Sequence, residues 1–200
     1  MPAKRTQDPT GRAKPNSYIF IGPPRAGKTV FFATAIGALQ HVCSQNARDF
    51  MLTNETHASL EFVDGVLGKL GDSRWPENTT GRGIYEFRLV RKRFCWVFER
   101  TDFLCYHDYG GEVFEQAFCD PKRLMVDPGL AGQVQQLTEE IAGAKGVFLL
   151  VDAAGLVDGK SVQLRDSLFF LTDLLAKCRT RQGPKVAVIF SKKDALADVP

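Results

Sequence analysis

The fold is decided by the stretch Tyr18-Ile19-Phe20-Ile21-Gly22-Pro23-Pro24-Arg25-Ala26-Gly27-Lys28-Thr29. A short apolar run ends at Gly22, and four residues separate this glycine from Gly27-Lys28-Thr29. The next residues, Val30–Val42, have the apolar spacing of a helix. A strand, a glycine-containing turn and a helix in this order predict a β-loop-α unit near the start of the chain.

The spacing of this stretch, G-x-x-x-x-G-K-S/T, is typical of a phosphate-binding loop. Two glycines let successive backbone N–H groups point at one phosphate chain, and the positive end of the following helix reinforces them. Lys28 is expected to bind the β- and γ-phosphates, and the Thr29 hydroxyl to be one magnesium ligand. Arg25 is expected to contact phosphate or, alternatively, solvent or a partner. The predicted nucleotide-binding residues of the loop are Gly22, Pro24, Arg25, Ala26, Gly27, Lys28, Thr29 and Val30.

The composition indicates one ordinary globular domain. The chain has 200 residues, of which 44% are hydrophobic, enough for a substantial core. The 26 basic and 23 acidic side chains give a net charge of +3, which does not indicate nucleic-acid binding. The five cysteines form no CxxC pair and are odd in number, which favours a reducing compartment. No signal peptide and no apolar run long enough to span a membrane is visible, so we expect a cytoplasmic protein.

The first segment of the chain differs in composition from the rest. Residues 1–16 are polar and contain three prolines and four basic side chains, which predicts a disordered basic arm. Residues 17–200 are predicted to form the domain.

Strand and helix patterns alternate through this domain. We expect helices at Val30–Val42, Glu55–Leu70 (with Gly71 as its stop), Val113–Cys119, around Val134–Ile141 and at Ser161–Arg179. Strands are expected at residues 49–53, Ile84–Val90, Phe94–Tyr106, Gly146–Asp152 and Lys185–Phe190, with Arg91–Arg93 as the charged tip of a hairpin. The pattern predicts a three-layer α/β fold with a mostly parallel sheet and one antiparallel hairpin strand. Ligands of such sheets bind at the carboxyl ends of the strands, where the loops at 22–29, 108–112 and 191–194 should converge.

Asp108 and Gly111 form a D-x-x-G motif after an apolar strand. A carboxylate at this place can hold magnesium through water, and a glycine lets a backbone N–H approach the γ-phosphate. The motif alone also fits an ordinary turn, and its position behind a phosphate-binding loop favours the functional interpretation.

Ser191-Lys192-Lys193-Asp194 is similar to the N/T-K-x-D motif that recognises guanine. The Asp194 carboxylate can accept two hydrogen bonds from guanine, whereas adenine offers no such pair, and the stem of Lys192 can pack over the ring. Ser191 departs from the usual Asn or Thr, so we expect the side chain at this position to support the loop less well, without affecting the role of Asp194.

Together the three motifs resemble the Ras-like small GTPases of the translation-factor-related P-loop class, over Ser17 to Asp194. The loop with Trp75-Pro76 is most similar to the bacterial double-GTPase domains of that class. The resemblance implies that Thr79, or alternatively Thr80, completes the magnesium shell with Thr29 and Asp108. It also implies a final base-contacting loop, strand and helix that this sequence lacks. We expect the chain to be a fragment of a longer protein or, alternatively, a domain that is completed elsewhere.

The resemblance implies a magnesium-dependent GTP-hydrolysing switch that acts on a protein partner. Lys28, Thr79 and Glu112 are the expected catalytic residues. Glu112 stands where the family often has glutamine, and repulsion between its carboxylate and the γ-phosphate implies slow hydrolysis without help. Two alternatives remain open: a nucleotide-binding scaffold with weak turnover, and an ATP-using P-loop enzyme.

Overall fold

The computed structural model describes residues 16–23, 25–76, 83–93, 98–108, 128–157 and 184–192, and the single residues 169, 172 and 176. The strands are β1 (Ser17–Ile21), β2 (Phe50–Asn54), β3 (Gly83–Arg93), β4 (Phe98–Asp108), β5 (Gly146–Asp152) and β6 (Lys185–Ser191). The helices in these ranges are α1 (Lys28–Gln45), α2 (His57–Gly71), α3 (Pro128–Gly143) and α4 (Ala153–Val157).

The six strands form one mixed sheet in the order β2-β3-β4-β1-β5-β6. β1 pairs in parallel with β4 and β5, and β5 pairs in parallel with β6. β3 is antiparallel to both of its neighbours, so β2 runs in the same direction as β4. The prediction of an α/β fold with a mostly parallel sheet and one antiparallel hairpin strand is therefore confirmed.

The central strands are apolar because both of their faces are covered. β1 and β5 are largely buried, as expected for parallel strands inside a sheet. β6 differs: residues 185–188 are all exposed, and Phe190 is exposed to 60%. The reason is its position, since β6 is the last strand of the described sheet and its apolar sequence alone does not reveal which side is covered.

The core lies between the sheet and one side of α1 and α2. Phe32 and Ile36 of α1 and Val63 of α2 are fully buried against Phe87 and Tyr106 of the sheet. Each large aromatic or aliphatic side chain buried in this way contributes about 2–3 kcal/mol. This packing fixes α1, and with it the loop that precedes α1.

A side-chain cap sets the start of α2. The Thr56 hydroxyl accepts a hydrogen bond from the Ser59 backbone N–H at 3.2 Å, and the helix therefore begins at His57 rather than at Glu55. The Ser59 hydroxyl in turn accepts a hydrogen bond from the Glu86 N–H at 2.9 Å, which ties the first turn of α2 to β3. The helix ends at Gly71, the predicted stop.

The predicted hairpin tip is wrong. Arg91–Arg93 lie within β3, and the β3–β4 pairing continues to Arg93 opposite Phe98. A run of three basic residues usually indicates a solvated turn. Here, however, the Arg91 guanidinium donates a hydrogen bond to Oδ2 of Asp102, a buried carboxylate on the neighbouring strand, at 2.5 Å. The ion pair compensates the Arg91 charge within the strand, while backbone pairing with β4 continues through all three basic residues.

Asp102 is the centre of an ion cluster between three strands. Its Oδ2 accepts a hydrogen bond from Arg91 of β3, and its Oδ1 accepts one from Lys145, just before β5, at 2.5 Å. Arg100 lies 3.7 Å from Oδ1. Burial alone would raise the pKa of the Asp102 carboxyl, but the hydrogen bonds from Lys145 and Arg91 outweigh this effect and hold the pKa below its usual value. The cluster thus connects β3, β4 and the residue just before β5.

Some predicted features lie outside the described residues. They are the arm before Asn16, the helix at Val113–Cys119 and, except for its three single described positions, the helix at Ser161–Arg179. In the part of the chain that the structure describes, no helix combines the length and apolar character needed to cross a membrane. The short helix α4 was not predicted, because five residues carry too little periodicity to be recognised.

Candidate functional site

The Gly22–Thr29 loop lies at the point where the strand order reverses. β1 stands between β4 and β5, so the chain continues from β1 to one side of the sheet and later fills the other side. Ligands of open α/β sheets bind at such a switch point, beyond the carboxyl ends of the strands. The loop that follows β1 occupies this place.

Close contact with β5 explains the first glycine. A Cβ atom on Gly22 would collide with the carbonyl oxygen of Leu150. Glycine is therefore required where β1 ends, since it alone lets the backbone turn while it touches the neighbouring strand.

The second glycine sets the start of α1. Gly27 has φ 77°, a left-handed conformation, and is the N-cap of the helix, which begins at Lys28. It carries no side chain, so no side-chain cap covers the helix N-terminus, and the first turn contains no acidic residue. The sequence predicted the helix from Val30, whereas the capping glycine brings Lys28 and Thr29 into the first turn. Both residues thereby stand at the positive end of the helix dipole.

The Lys28 side chain folds back over the loop. Its Nζ donates a hydrogen bond to the Pro23 carbonyl oxygen at 2.9 Å. Arg25, between them, has φ 60°, which is uncommon for a residue with a side chain, and this side chain is exposed. Ala26 is fully buried. The loop is thus curled, with an ammonium group held across it.

Thr29 connects the loop to β4. Its hydroxyl lies 3.1 Å from the hydroxyl of Tyr106, a side chain only 1% exposed. The Tyr106 ring packs against Phe32 at 5.2 Å and Phe62 at 5.8 Å between ring centroids, which fixes the direction of its hydroxyl. Asp108 follows two residues later as the last residue of β4, and its side chain lies outside the described part. The carboxyl end of β4 therefore reaches the first turn of α1.

Ser191 connects the loop to β6. A Cβ on Gly27 would lie 3.9 Å from the Ser191 Cβ, which is ordinary contact distance. The Ser191 hydroxyl donates to the Val151 carbonyl oxygen at 3.2 Å. The start of the predicted base-recognition motif therefore lies close to Gly27 of the predicted phosphate-binding loop.

Lys192 follows with an ion pair to β5. Its Nζ lies 2.6 Å from Oδ2 of Asp152, while Oδ1 of Asp152 accepts a hydrogen bond from the Gly155 N–H at 3.1 Å. Burial of this carboxyl would raise its pKa, but the hydrogen bonds from Lys192 and Gly155 lower it further than burial raises it. Asp152 is therefore a carboxylate at neutral pH.

Sequence reasoning missed Tyr106 and Asp152. A signal existed for each: Tyr106 precedes Asp108 by two residues, and Asp152 is the charged end of an otherwise apolar strand. Neither signal names a partner, because the partners Thr29 and Lys192 are 77 and 40 residues away.

The structure brings together Gly22, Arg25, Ala26, Gly27, Lys28, Thr29, Val30, Ser191 and Lys192, with the backbone of Asp108 at the same edge. Six other predicted residues, Pro24, Thr79, Thr80, Gly111, Glu112 and Asp194, lie outside the described residues. Among the residues that are described, no three His, Cys, Asp or Glu side chains are placed to share a metal ion. No protein-family model, curated protein or solved structure matches the chain.

Proposed function

We propose that the chain is a Ras-like P-loop GTPase domain that binds GTP and GDP with magnesium and acts as a switch toward a protein partner. The observation that carries the proposal is the curled Gly22–Thr29 loop, with the Lys28 ammonium across it and the ends of β4 and β6 on either side. A glycine-capped helix N-terminus with an adjacent lysine is the arrangement that binds a phosphate chain.

Binding would transfer the Lys28 ammonium from the Pro23 carbonyl to phosphate oxygens. A neutral carbonyl is a weaker partner for the ammonium than a phosphate oxygen, because the phosphate adds the attraction between two opposite charges. The present hydrogen bond at 2.9 Å keeps the ammonium close to the loop before the nucleotide arrives. Lys28 is therefore preorganised for the β- and γ-phosphates.

The oxygen ligands of this site suit magnesium. The Thr29 hydroxyl stands in the first turn of α1, and oxygen donors of this kind are those that Mg²⁺ prefers. Together with Thr29, Asp108 and Thr79 would hold the ion. When bound, magnesium supplies charge neutralisation on the phosphates.

Base choice and hydrolysis complete the proposal. Asp194 would accept hydrogen bonds from guanine, with Ser191 and Lys192 supporting the loop beside the phosphate-binding residues.

Gly111 would donate its backbone N–H to the γ-phosphate, and the Thr79 carbonyl with Glu112 would place the attacking water. Repulsion between the Glu112 carboxylate and the phosphate makes the expected hydrolysis slow without a partner. The loops around Thr79 and Glu112 would then differ between the GTP and GDP states, which is what a partner reads.

Competition between nucleotides tests this proposal. We expect unlabelled GTP, but not ATP, to displace a fluorescent GDP analogue from the protein in the presence of magnesium. Lys28→Ala should abolish binding and leave the circular dichroism spectrum unchanged, because Lys28 is only half-buried at the start of α1, lies outside the core, and alanine is a good helix former. Lys185→Ala, an exposed lysine at the start of β6, is the matched control.

Three outcomes contradict parts of the proposal. Equal displacement by ATP would remove the guanine assignment, and micromolar binding by Lys28→Ala would remove the phosphate-binding role of the loop. If the protein binds GTP tightly but does not cleave it under single-turnover conditions, even with added cell extract, the alternative of a nucleotide-binding scaffold would be favoured over a GTP-hydrolysing switch.

A further inference from the structure

Lys192, just after β6, is held in an unusual backbone conformation. Its φ is 55°, in the left-handed region of backbone conformations, which residues other than glycine, asparagine and aspartate rarely adopt. A residue keeps such a conformation when its surroundings over-determine it, and such residues cluster at ligand-binding sites. The contacts of Lys192 and its neighbour Ser191 show what holds it here.

Two bonds fasten this corner to β5. β5 and β6 are paired in register, with Asp152 opposite Ser191. The Ser191 hydroxyl binds the Val151 carbonyl, and the Lys192 ammonium binds the Asp152 carboxylate at 2.6 Å. The Asp152 side chain is only 17% exposed and is itself oriented by the Gly155 N–H, so it is a rigid partner.

Among the described residues, the Ser191 side chain makes a single hydrogen bond in this corner. An asparagine side chain at that position would offer a carbonyl oxygen and two N–H donors, whereas serine offers one hydroxyl. In this chain the serine hydroxyl is used on the Val151 carbonyl. A second side-chain contact between the end of β6 and β5 is the ion pair of the next residue, Lys192, with Asp152.

We propose that Asp152 is a positioning residue for the nucleotide base: it holds the Lys192 ammonium at the end of β5, so that the aliphatic stem of Lys192 lies along the ring. This inference rests on the proposed function. It adds a residue that does not contact the base but positions the lysine that does. A lysine whose ammonium is fixed loses less side-chain entropy when its stem packs on a ligand, which improves base binding without changing phosphate binding.

The ratio of GDP to ADP affinity tests the inference, because both nucleotides carry the same phosphates. Under the proposed function only guanine is bound by Asp194, so only guanine is held against the Lys192 stem. Asp152→Asn keeps an oxygen for the Gly155 N–H and removes the charge that holds Lys192. We expect GDP affinity to fall about tenfold and ADP affinity to stay nearly constant, the size expected for loss of one charge-assisted contact. Asp64→Asn, on the exposed side of α2, is the control.

A double-mutant cycle shows whether Asp152 acts through Lys192. Lys192→Met keeps an apolar stem and removes the ammonium, and it leaves the Asp152–Gly155 contact in place. It should lower the GDP-to-ADP ratio on its own, and adding Asp152→Asn to it should cause little further loss. This variant also keeps the test informative if Asp152→Asn disturbs folding.

The outcomes separate the two proposals. Equal GDP and ADP affinities in the wild type would refute the guanine assignment of the proposed function before any variant is compared. A wild type that prefers GDP, with variants that keep the same ratio, would refute only the role of Asp152. Equal losses for GDP and ADP, or additive effects in the cycle, would likewise overturn the inference and leave Asp152 a structural residue.

Discussion

The Asp102→Asn substitution tests how the sheet is held together. Asp102 is 3% exposed and accepts hydrogen bonds from Arg91 on β3 and from Lys145, the residue before β5. Asparagine has nearly the same shape but no charge. Its NH₂ group must also face one of the two cations, since only one of its side-chain atoms accepts hydrogen bonds.

The expected loss follows from the exposure of the two cations. Breaking a fully buried ion pair costs about 3–5 kcal/mol. Here the side chains of Lys145 and Arg91 are 25% and 42% exposed, so water recovers part of their solvation in the variant. We therefore expect a loss of about 2 kcal/mol in the free energy of unfolding at pH 7, which for a chain of this length lowers the midpoint of thermal unfolding by roughly 4–8 °C.

The pH dependence has a definite sign. The pKa of Asp102 is lowered in the folded protein, so its stabilisation is fully present above the unfolded value of about 3.9 and is lost as the pH falls through the folded value. Asparagine does not titrate. The difference between wild type and variant should be constant from pH 7 to about pH 5 and shrink below about pH 4.

Circular dichroism melts and urea unfolding at pH 7 and at low pH measure these differences. Asp64→Asn, which removes an exposed carboxylate from α2, should change stability by less than about 0.5 kcal/mol. An Asp102→Asn protein as stable as the wild type at pH 7 would refute the stabilising role of the cluster. A stability difference that persists unchanged at low pH would refute its electrostatic origin.

Two further substitutions test the loop itself. Gly22→Ala introduces a Cβ against the Leu150 carbonyl and should lower stability by about 1–3 kcal/mol in urea unfolding, together with nucleotide affinity. Gly65→Ala, on α2 with open space around it, should instead raise stability by about 0.5–1 kcal/mol, and a similar effect of both changes would contradict the contact. Tyr106→Phe removes the hydroxyl that faces Thr29 and should lower stability by about 1 kcal/mol and shift the magnesium dependence of GDP release. Tyr85→Phe, on the neighbouring ring 6.1 Å away, should leave that magnesium dependence unchanged. Equal shifts in both variants would show that the effect does not come from the Tyr106–Thr29 contact.

Much of the fold follows from local patterns. The apolar run Gly146–Asp152 predicted β5 with its observed bounds, because a strand buried on both faces needs an uninterrupted apolar sequence. The basic run Arg91–Arg93, by contrast, led to a wrong prediction of a hairpin tip, since it lies within β3. Its interpretation as a turn was reasonable for exposed charges, but the carboxylate that pairs with Arg91 is 11 residues away and invisible to any local pattern.

The sequence by itself determined the turn between β1 and α1 and the alternation of strands and helices. The spacing of Gly22, Gly27 and Lys28 prescribes a curled backbone before a helix, and hydrophobic periodicity within each segment prescribes the type of element. Only the tertiary structure decided the pairing of Thr29 with Tyr106, of Lys192 with Asp152 and of Asp102 with Lys145. These partners are separated by 77, 40 and 43 residues, and they meet because the order of the strands in the sheet brings their ends together.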